Sequence, residues 1–298
     1  MGDILACIGG HAAHQLLHER GEITQSLGLS ATPYGESQPL FACETPAGRY
    51  LFLARNGEHT RPVPPRLVNY RANLWALKEA GAESIVAWDE GKALSHNYRV
   101  GQFVLVDDLI DETVCAPLSF LDLHDTTQVR QWPVFCPMLR RVLAAALRTE
   151  RAEFGERGVY VCVEGHRQET PAEARKFMSF GGDLLGCALA PEAFLAKELQ
   201  LAYAAVCYVR QYAESGSGAR PFERGQVLDA RAEQRRVAAA VERLPGVMKY
   251  VLTHAAEASA APAASVLHHA DERDVVADHD GNGTSTAPPR AAAVRVEL

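Results

Sequence analysis

Residues 160–170 read YVCVEGHRQET, and residues 171–199 continue PAEARKFMSFGGDLLGCALAPEAFLAKEL. The apolar, β-branched run Tyr160 to Val163 predicts a strand that ends at Glu164-Gly165 and opens into a polar turn. A helix follows, with Thr170 fitting its N-cap better than Glu169 does and Pro171 suited to its first turn. A second buried strand and a second helix, carrying Pro191 and Glu192 near its start, complete the unit. Alternation of strand and helix predicts an α/β fold, and in such folds the loops at strand ends hold the chemistry.

Working outward, Asp3 to Ile8 predicts a short strand stopping at Gly9-Gly10, either a tight turn or a place where backbone N–H groups approach an anion. Pro39 to Cys43 and Arg49 to Ala54 predict a hairpin turning at Thr45-Pro46-Ala47-Gly48. Val68 to Ala80 has helical periodicity stopped by Gly81. Glu83 to Trp88 predicts a strand breaking at Asp89-Glu90-Gly91, and Gln102 to Leu109 another. A helix is expected over about Met138 to Glu150, a strand over Tyr203 to Val209 entering Arg210-Gln211-Tyr212, and a long helix over Gly225 to Arg243. These short connections predict a parallel or mixed sheet covered by helices.

With 298 residues, 47% of them hydrophobic and 22% charged, the chain can bury a large core. A formal charge of -7 argues against a nucleic-acid backbone or an anionic membrane as the main partner. Seven scattered cysteines without a Cys-x-x-Cys pair point to reduced thiols in a cytoplasm. The start, MGDILACIGG, lacks the pattern of a secretory signal, and no stretch is long and apolar enough to span a bilayer. From residue 254 the composition shifts to Ala, Pro, Asp, Gly and His, which predicts a disordered tail over 254–298. Its His254, His268, His269 and His279 read as solvated side chains before they read as metal ligands, and no metal or cofactor is expected.

The segments LARNGEHTRPVPPRLVNYRANLWALKEAGAESIVA, VEGHRQETPAEARKF and LAPEAFLAKEL, together with the early IGG, closely resemble the purine nucleoside phosphorylase and methylthioadenosine phosphorylase family over about Ile4 to Val251. The resemblance implies one α/β domain over 1–253, with a mixed, partly barrel-like central sheet, commonly assembled as a homotrimer. It also implies a small-molecule purine nucleoside as ligand, either 5′-modified as in methylthioadenosine or methylthioinosine, or 6-oxopurine. Inorganic phosphate is then the co-substrate that cleaves the N-glycosidic bond.

Carried over residue by residue, the resemblance places His11, Arg55, Asn56, Asp89 and Ala188 at the phosphate positions. His11 and Ala188 stand where hydroxyls are usual, Asn56 where a histidine is, and the segment Trp88-Asp89-Glu90-Gly91-Lys92 where small residues are. The resemblance places Gln168 at the position that stacks on the purine, Glu169 on the base edge, and Cys187 and His59 near the sugar. Gln211, beside Tyr212, stands where a side chain hydrogen-bonds the departing base. Gln211 and Glu169 are therefore the candidate catalytic residues.

Plainer roles stand beside these. Arg55 can pair with a surface carboxylate, Cys187 can be a small core residue, Asp89 and Glu90 can form a solvated turn, and His11 can fill a loop. Three functions stay open: a phosphate-dependent nucleoside phosphorylase, a nucleosidase in which Asp89 or Glu90 activates water, and a non-catalytic nucleoside-binding or interaction relative.

Overall fold

The computed structural model describes residues 4–58, 60–95, 97–117, 119–121, 128–165, 167–214, 230–255 and 267–268. In chain order the first half comprises β1 (Ile4–Gly9), α1 (His11–Glu19), β2 (Ile23–Gly28), β3 (Ala31–Thr32), β4 (Gly35–Glu36), β5 (Leu40–Thr45), β6 (Gly48–Ala54), α2 (Tyr70–Glu79), β7 (Ala82–Ala93), β8 (Phe103–Leu105) and β9 (Asp108–Glu112). The second half comprises β10 (Gln128–Val129), α3 (Pro137–Thr149), β11 (Phe154–Gly155), β12 (Val159–Val163), α4 (Pro171–Ser179), β13 (Leu184–Gly186), α5 (Leu189–Glu198), β14 (Ala202–Tyr212), α6 (Ala230–Val241), α7 (Leu244–Thr253) and β15 (Leu267–His268).

The core of the sheet is parallel: β1 lies between β6 and β7, and β14 pairs alongside β7. Antiparallel β5 and β8 extend it on either side. At its far end β7 also pairs antiparallel with β13, which is parallel to β12, itself parallel to β9. The path β9-β12-β13-β7-β14-β8 therefore curls, and the covalent link from β8 to β9 completes the ring. This is the mixed, partly barrel-like sheet expected.

Helices cover both faces because side chains alternate along each strand. On one face Ile85 and Ala87 of β7 join Leu74 and Leu77 of α2 and Leu195 of α5. On the other, Val86 and Trp88 join Leu17 of α1, Leu143 of α3 and Val247 of α7. Burying so many side chains fully supplies the main driving force for this arrangement.

Four expectations need correction. The strand beginning near Glu83 does not break at Asp89 but runs on to Ala93, because β14 and β13 hold its end on both edges. Backbone pairing there overrides the poor strand propensity of Asp, Glu and Gly. The single strand over Gln102 to Leu109 divides into β8 and β9. Val106 N–H still donates to Ala205 on the β14 side, whereas Asp107 N–H turns to Gly158 next to β12. β14 continues through Gln211 and Tyr212, with a register shift between Val209 and Gln211. His11 does not fill a loop; it opens α1, a helix the Gly-Gly reading passed over.

α6 begins at Ala230, and residues 225–229 of the longer helix expected there lie outside the described residues. Of the segment from 254 on, His254 caps α7, donating to Tyr250 O (2.9 Å), and β15 pairs with β10. His269, His279 and the remainder of the expected tail lie outside the described residues, as does His59.

Candidate active site

A cavity of about 370 Å³ opens at the carboxyl ends of β6, β7 and β14, where open parallel sheets bind ligands. Its wall includes Arg55 and Asn56 after β6, Asp89 to Lys92 of β7, and Arg210 and Gln211 of β14. Gly165, Arg167 and Gln168 after β12, together with Gly186, Cys187 and Ala188 between β13 and α5, close the other side. Five segments distant in sequence thus converge on one space. The register shift in β14 falls at Arg210, and such irregularities re-aim side chains at sites.

At the floor lies an ion cluster. Arg55 is 2% exposed; its Nε and Nη2 donate to the two oxygens of Glu192 (2.5 and 3.0 Å), and its Nη1 donates to Asp89 Oδ1 (2.7 Å). Tyr160 OH donates to Asp89 Oδ2 (2.8 Å) and Tyr203 OH donates to Glu192 Oε2 (2.7 Å). Arg55 therefore pairs with two buried carboxylates and not with a surface one, which corrects the plainer reading of it. Asp89, only 7% exposed, is likewise no solvated turn.

Burial and the facing carboxylates hold both tyrosines protonated, their hydroxyl pKa values far above the ordinary range. Glu192 and Asp89 raise the pKa of Arg55 despite its desolvation. Two negative charges share one guanidinium, so the cluster keeps an excess of negative charge inside the protein.

Among the described residues around the rim every cation is already engaged. Lys92 Nζ donates to Glu169 Oε2 (2.5 Å), and Glu169 Oε1 accepts from Glu214 N–H (2.9 Å). Arg210 Nη1 donates to Glu90 Oε1 (2.7 Å), which also holds Tyr208 OH through its other oxygen (3.0 Å). Arg167 pairs with Glu173. His11 Nε2 donates to Asn56 O (2.8 Å), and Asn56 Nδ2 donates to Val63 O (3.1 Å), so these two side chains knit the β6 loop to α1.

Glycines shape the wall. Gly165 has φ +77°, and a Cβ there would sit 2.9 Å from Cys187 Sγ; at Gly186 a Cβ would collide with the Tyr160 hydroxyl. Burial pushes the Cys187 thiol up to about 12, so it is a neutral wall group; it follows β13 and lines the cavity part-buried, not the core position of the plainer reading.

Of the sequence candidates, Arg55, Asn56, Asp89, Gln168, Cys187, Ala188 and Gln211 are brought together on the cavity. His11, Glu169 and Tyr212 are not among the residues that wall it. Glu169 stands one step back, behind Lys92. Sequence reasoning missed Glu192, Tyr160 and Tyr203 as partners of Arg55. Glu192 carried a signal, a carboxylate beside a proline at a helix start, but its partner lies 137 residues away.

Residues 8–252 match the family described as the phosphorylase superfamily. The chain is 39% identical over 194 residues to the 6-oxopurine nucleoside phosphorylase of Pyrococcus furiosus, spanning 63% of this chain and 72% of that one. It is 41% identical over 209 residues to a probable S-methyl-5′-thioinosine phosphorylase of Pseudomonas syringae pv. tomato, spanning 69% and 83%. A methylthioadenosine phosphorylase from an Antarctic soil metagenomic library superposes with a TM-score of 0.73 at 25% identity, covering 90% of this chain and 93% of that one. The apo methylthioadenosine phosphorylase of Schistosoma mansoni shares the fold, with a TM-score of 0.73 at 21% identity over 85% and 92% of the two chains. Sequence match and fold cover the same domain, and on both the chain belongs to the phosphorylase superfamily.

Proposed function

We propose that this chain is a purine nucleoside phosphorylase-type pentosyltransferase, which releases a purine from its nucleoside and passes the pentosyl group to inorganic phosphate. The observation that carries the reading is the convergence of Gln168, Cys187 and Gln211 on one cavity with the Arg55 cluster at its floor. Breaking the N-glycosidic bond leaves an electron pair on the base and positive charge on the sugar. Stabilisation must therefore come from donors on the base side and negative charge on the sugar side.

The Gln211 amide and the Arg210 guanidinium are the donors available to the base. Lys92 spends one N–H on Glu169 and keeps two directed elsewhere, which suits an acceptor on the purine. A 6-oxo group is such an acceptor; a 6-amino group would face an ammonium donor to donor. This favours a 6-oxopurine nucleoside or its 5′-methylthio derivative, in keeping with what the relatives from Pyrococcus furiosus and Pseudomonas syringae are named for.

Phosphate enters from the Arg55 side, where the guanidinium retains N–H groups beyond its three carboxylate contacts. With Ala188 and Asn56 in the wall and the His11 ring spent on a backbone carbonyl, phosphate gains little further help, and a high phosphate KM follows. The reading includes a homotrimer, supported by the exposed apolar Leu67 and Val114, and a reducing cytoplasmic setting, supported by seven free thiols. The test is a panel of inosine, guanosine, adenosine and their 5′-methylthio analogues incubated with phosphate. Release of free purine with pentose 1-phosphate, greatest for 6-oxopurines, is the expected result; no release from any member would end the proposal.

A further inference from the structure

We infer that the same cavity also passes the pentosyl group to water, with Asp89 accepting the water's proton, so that nucleoside hydrolysis proceeds without phosphate. The inference rests on the reading of the cavity as a nucleoside site, and it adds a second acceptor to that reading.

The starting point is what already lies on the guanidinium at the cavity floor. Arg55 directs three of its five N–H groups at Glu192 and Asp89, so the cation that would hold an anion is already largely neutralised by the protein's own carboxylates. The cluster carries more negative than positive charge, which opposes entry of a dianion and stabilises a cationic sugar in the same place. A fixed carboxylate there supplies the electrostatic help that a phosphate ion otherwise brings.

Asp89 is also able to act as a base. Among the described residues each of its oxygens accepts a single hydrogen bond, Oδ1 from Arg55 and Oδ2 from Tyr160, leaving each with acceptor capacity on a residue that walls the cavity. Glu192 is less suitable: it is 1% exposed, both its oxygens face Arg55, and one also accepts from Tyr203. Glu90 lies at the rim, its two oxygens engaged by Tyr208 and the exposed Arg210.

In the step itself the C1′–N9 bond breaks and its electron pair stays on the purine. The water oxygen forms the new bond to C1′ and gives one proton to Asp89. The purine takes up one proton, Asp89 releases its own to solvent, and the products are free pentose and free base. No oxidant, reductant or further reactant is needed.

The experiment follows inosine and 5′-methylthioinosine in phosphate-depleted buffer and in millimolar phosphate, identifying the sugar product by mass. Free pentose formed without phosphate is expected, falling about 100-fold or more in Asp89→Asn, the usual loss when a general base is removed. Should Asp89→Asn unfold, Tyr160→Phe reads the same step. That change takes away the hydroxyl that holds Asp89 Oδ2 in place, so the rate of free-pentose formation without phosphate falls further than the rate of phosphate-dependent release. Cleavage only with phosphate, giving pentose 1-phosphate alone, would overturn the inference and leave the nucleoside reading standing. Absence of cleavage in both buffers would overturn both. Asp89→Asn hydrolysing at the parent rate, or a Tyr160→Phe in which hydrolysis and phosphate-dependent release fall alike, would also overturn it.

Discussion

At the scale of single residues, Arg55 decides most. Its guanidinium is desolvated, and it is the counter-ion of the two buried carboxylates beside it. Removing the cation strands both carboxylates: Arg55→Met should cost about 3–5 kcal/mol, seen as a lower urea midpoint at an unchanged slope. A loss under about 1 kcal/mol would mean that water reaches the cluster and shares the charge. Lys92 governs the other end of the cavity. On the proposed reading, Lys92→Met removes the ammonium assigned to the base and frees Glu169, an acceptor, so a 6-amino purine becomes acceptable where a 6-oxo purine was favoured. The expected result is a fall of tenfold or more in the ratio of kcat/KM for inosine over adenosine, about 1.4 kcal/mol. An unchanged ratio would place base selection on Gln211 and Arg210.

At the scale of elements, the loop that begins at Glu164 is fixed by the helix that follows it. Thr170 Oγ1 accepts from Glu173 N–H (3.2 Å) while the Glu173 carboxylate accepts from Thr170 N–H (2.7 Å), closing a capping box. Thr170→Ala should cost about 1 kcal/mol in urea unfolding and loosen Gln168, raising KM more than it lowers kcat. This cap was legible because its signals, Thr170, Pro171 and Glu173, are adjacent in sequence. The hairpin β5–β6, the helix α2 stopped at Gly81 and the helix α3 were legible for the same reason. What escaped was set from afar. Asp89 to Lys92 looks like a turn, and is held as strand by partners more than 90 residues on, Leu185 of β13 and Cys207 to Gln211 of β14. The candidate site divides the same way: the cavity residues could be named one at a time, but the pairing of Arg55 with Glu192 and Asp89 appears only when the end of β6, β7 and α5 meet.

At the scale of the whole molecule, the two faces of the sheet share a chemistry that makes stability depend on alkaline pH. Cys7, Cys43, Cys162, Cys187 and Cys207 all have thiols whose pKa burial raises, Cys43 and Cys187 to about 12. In the unfolded chain these thiols ionise near 9, whereas in the folded one they stay neutral well beyond that. The folded state then binds more protons, so its stability is fully present below about pH 8.5 and falls as pH rises. Tyr50, Tyr160 and Tyr203 add to the fall above pH 10, their hydroxyls raised by the same burial. Lys197 works in the opposite sense: desolvation lowers it to about 8, so its contribution improves between pH 8 and the ordinary lysine value. One lysine cannot offset five thiols, each able to contribute up to about 1.4 kcal/mol per pH unit where only the unfolded state is ionised. Urea midpoints measured under reducing conditions should therefore be level from pH 7 to 8 and drop steeply from 9 to 10, and Cys207→Ala should flatten part of the drop. A midpoint that holds constant to pH 10 would show that the thiols ionise within the folded protein, which a dry, close-packed sheet does not permit.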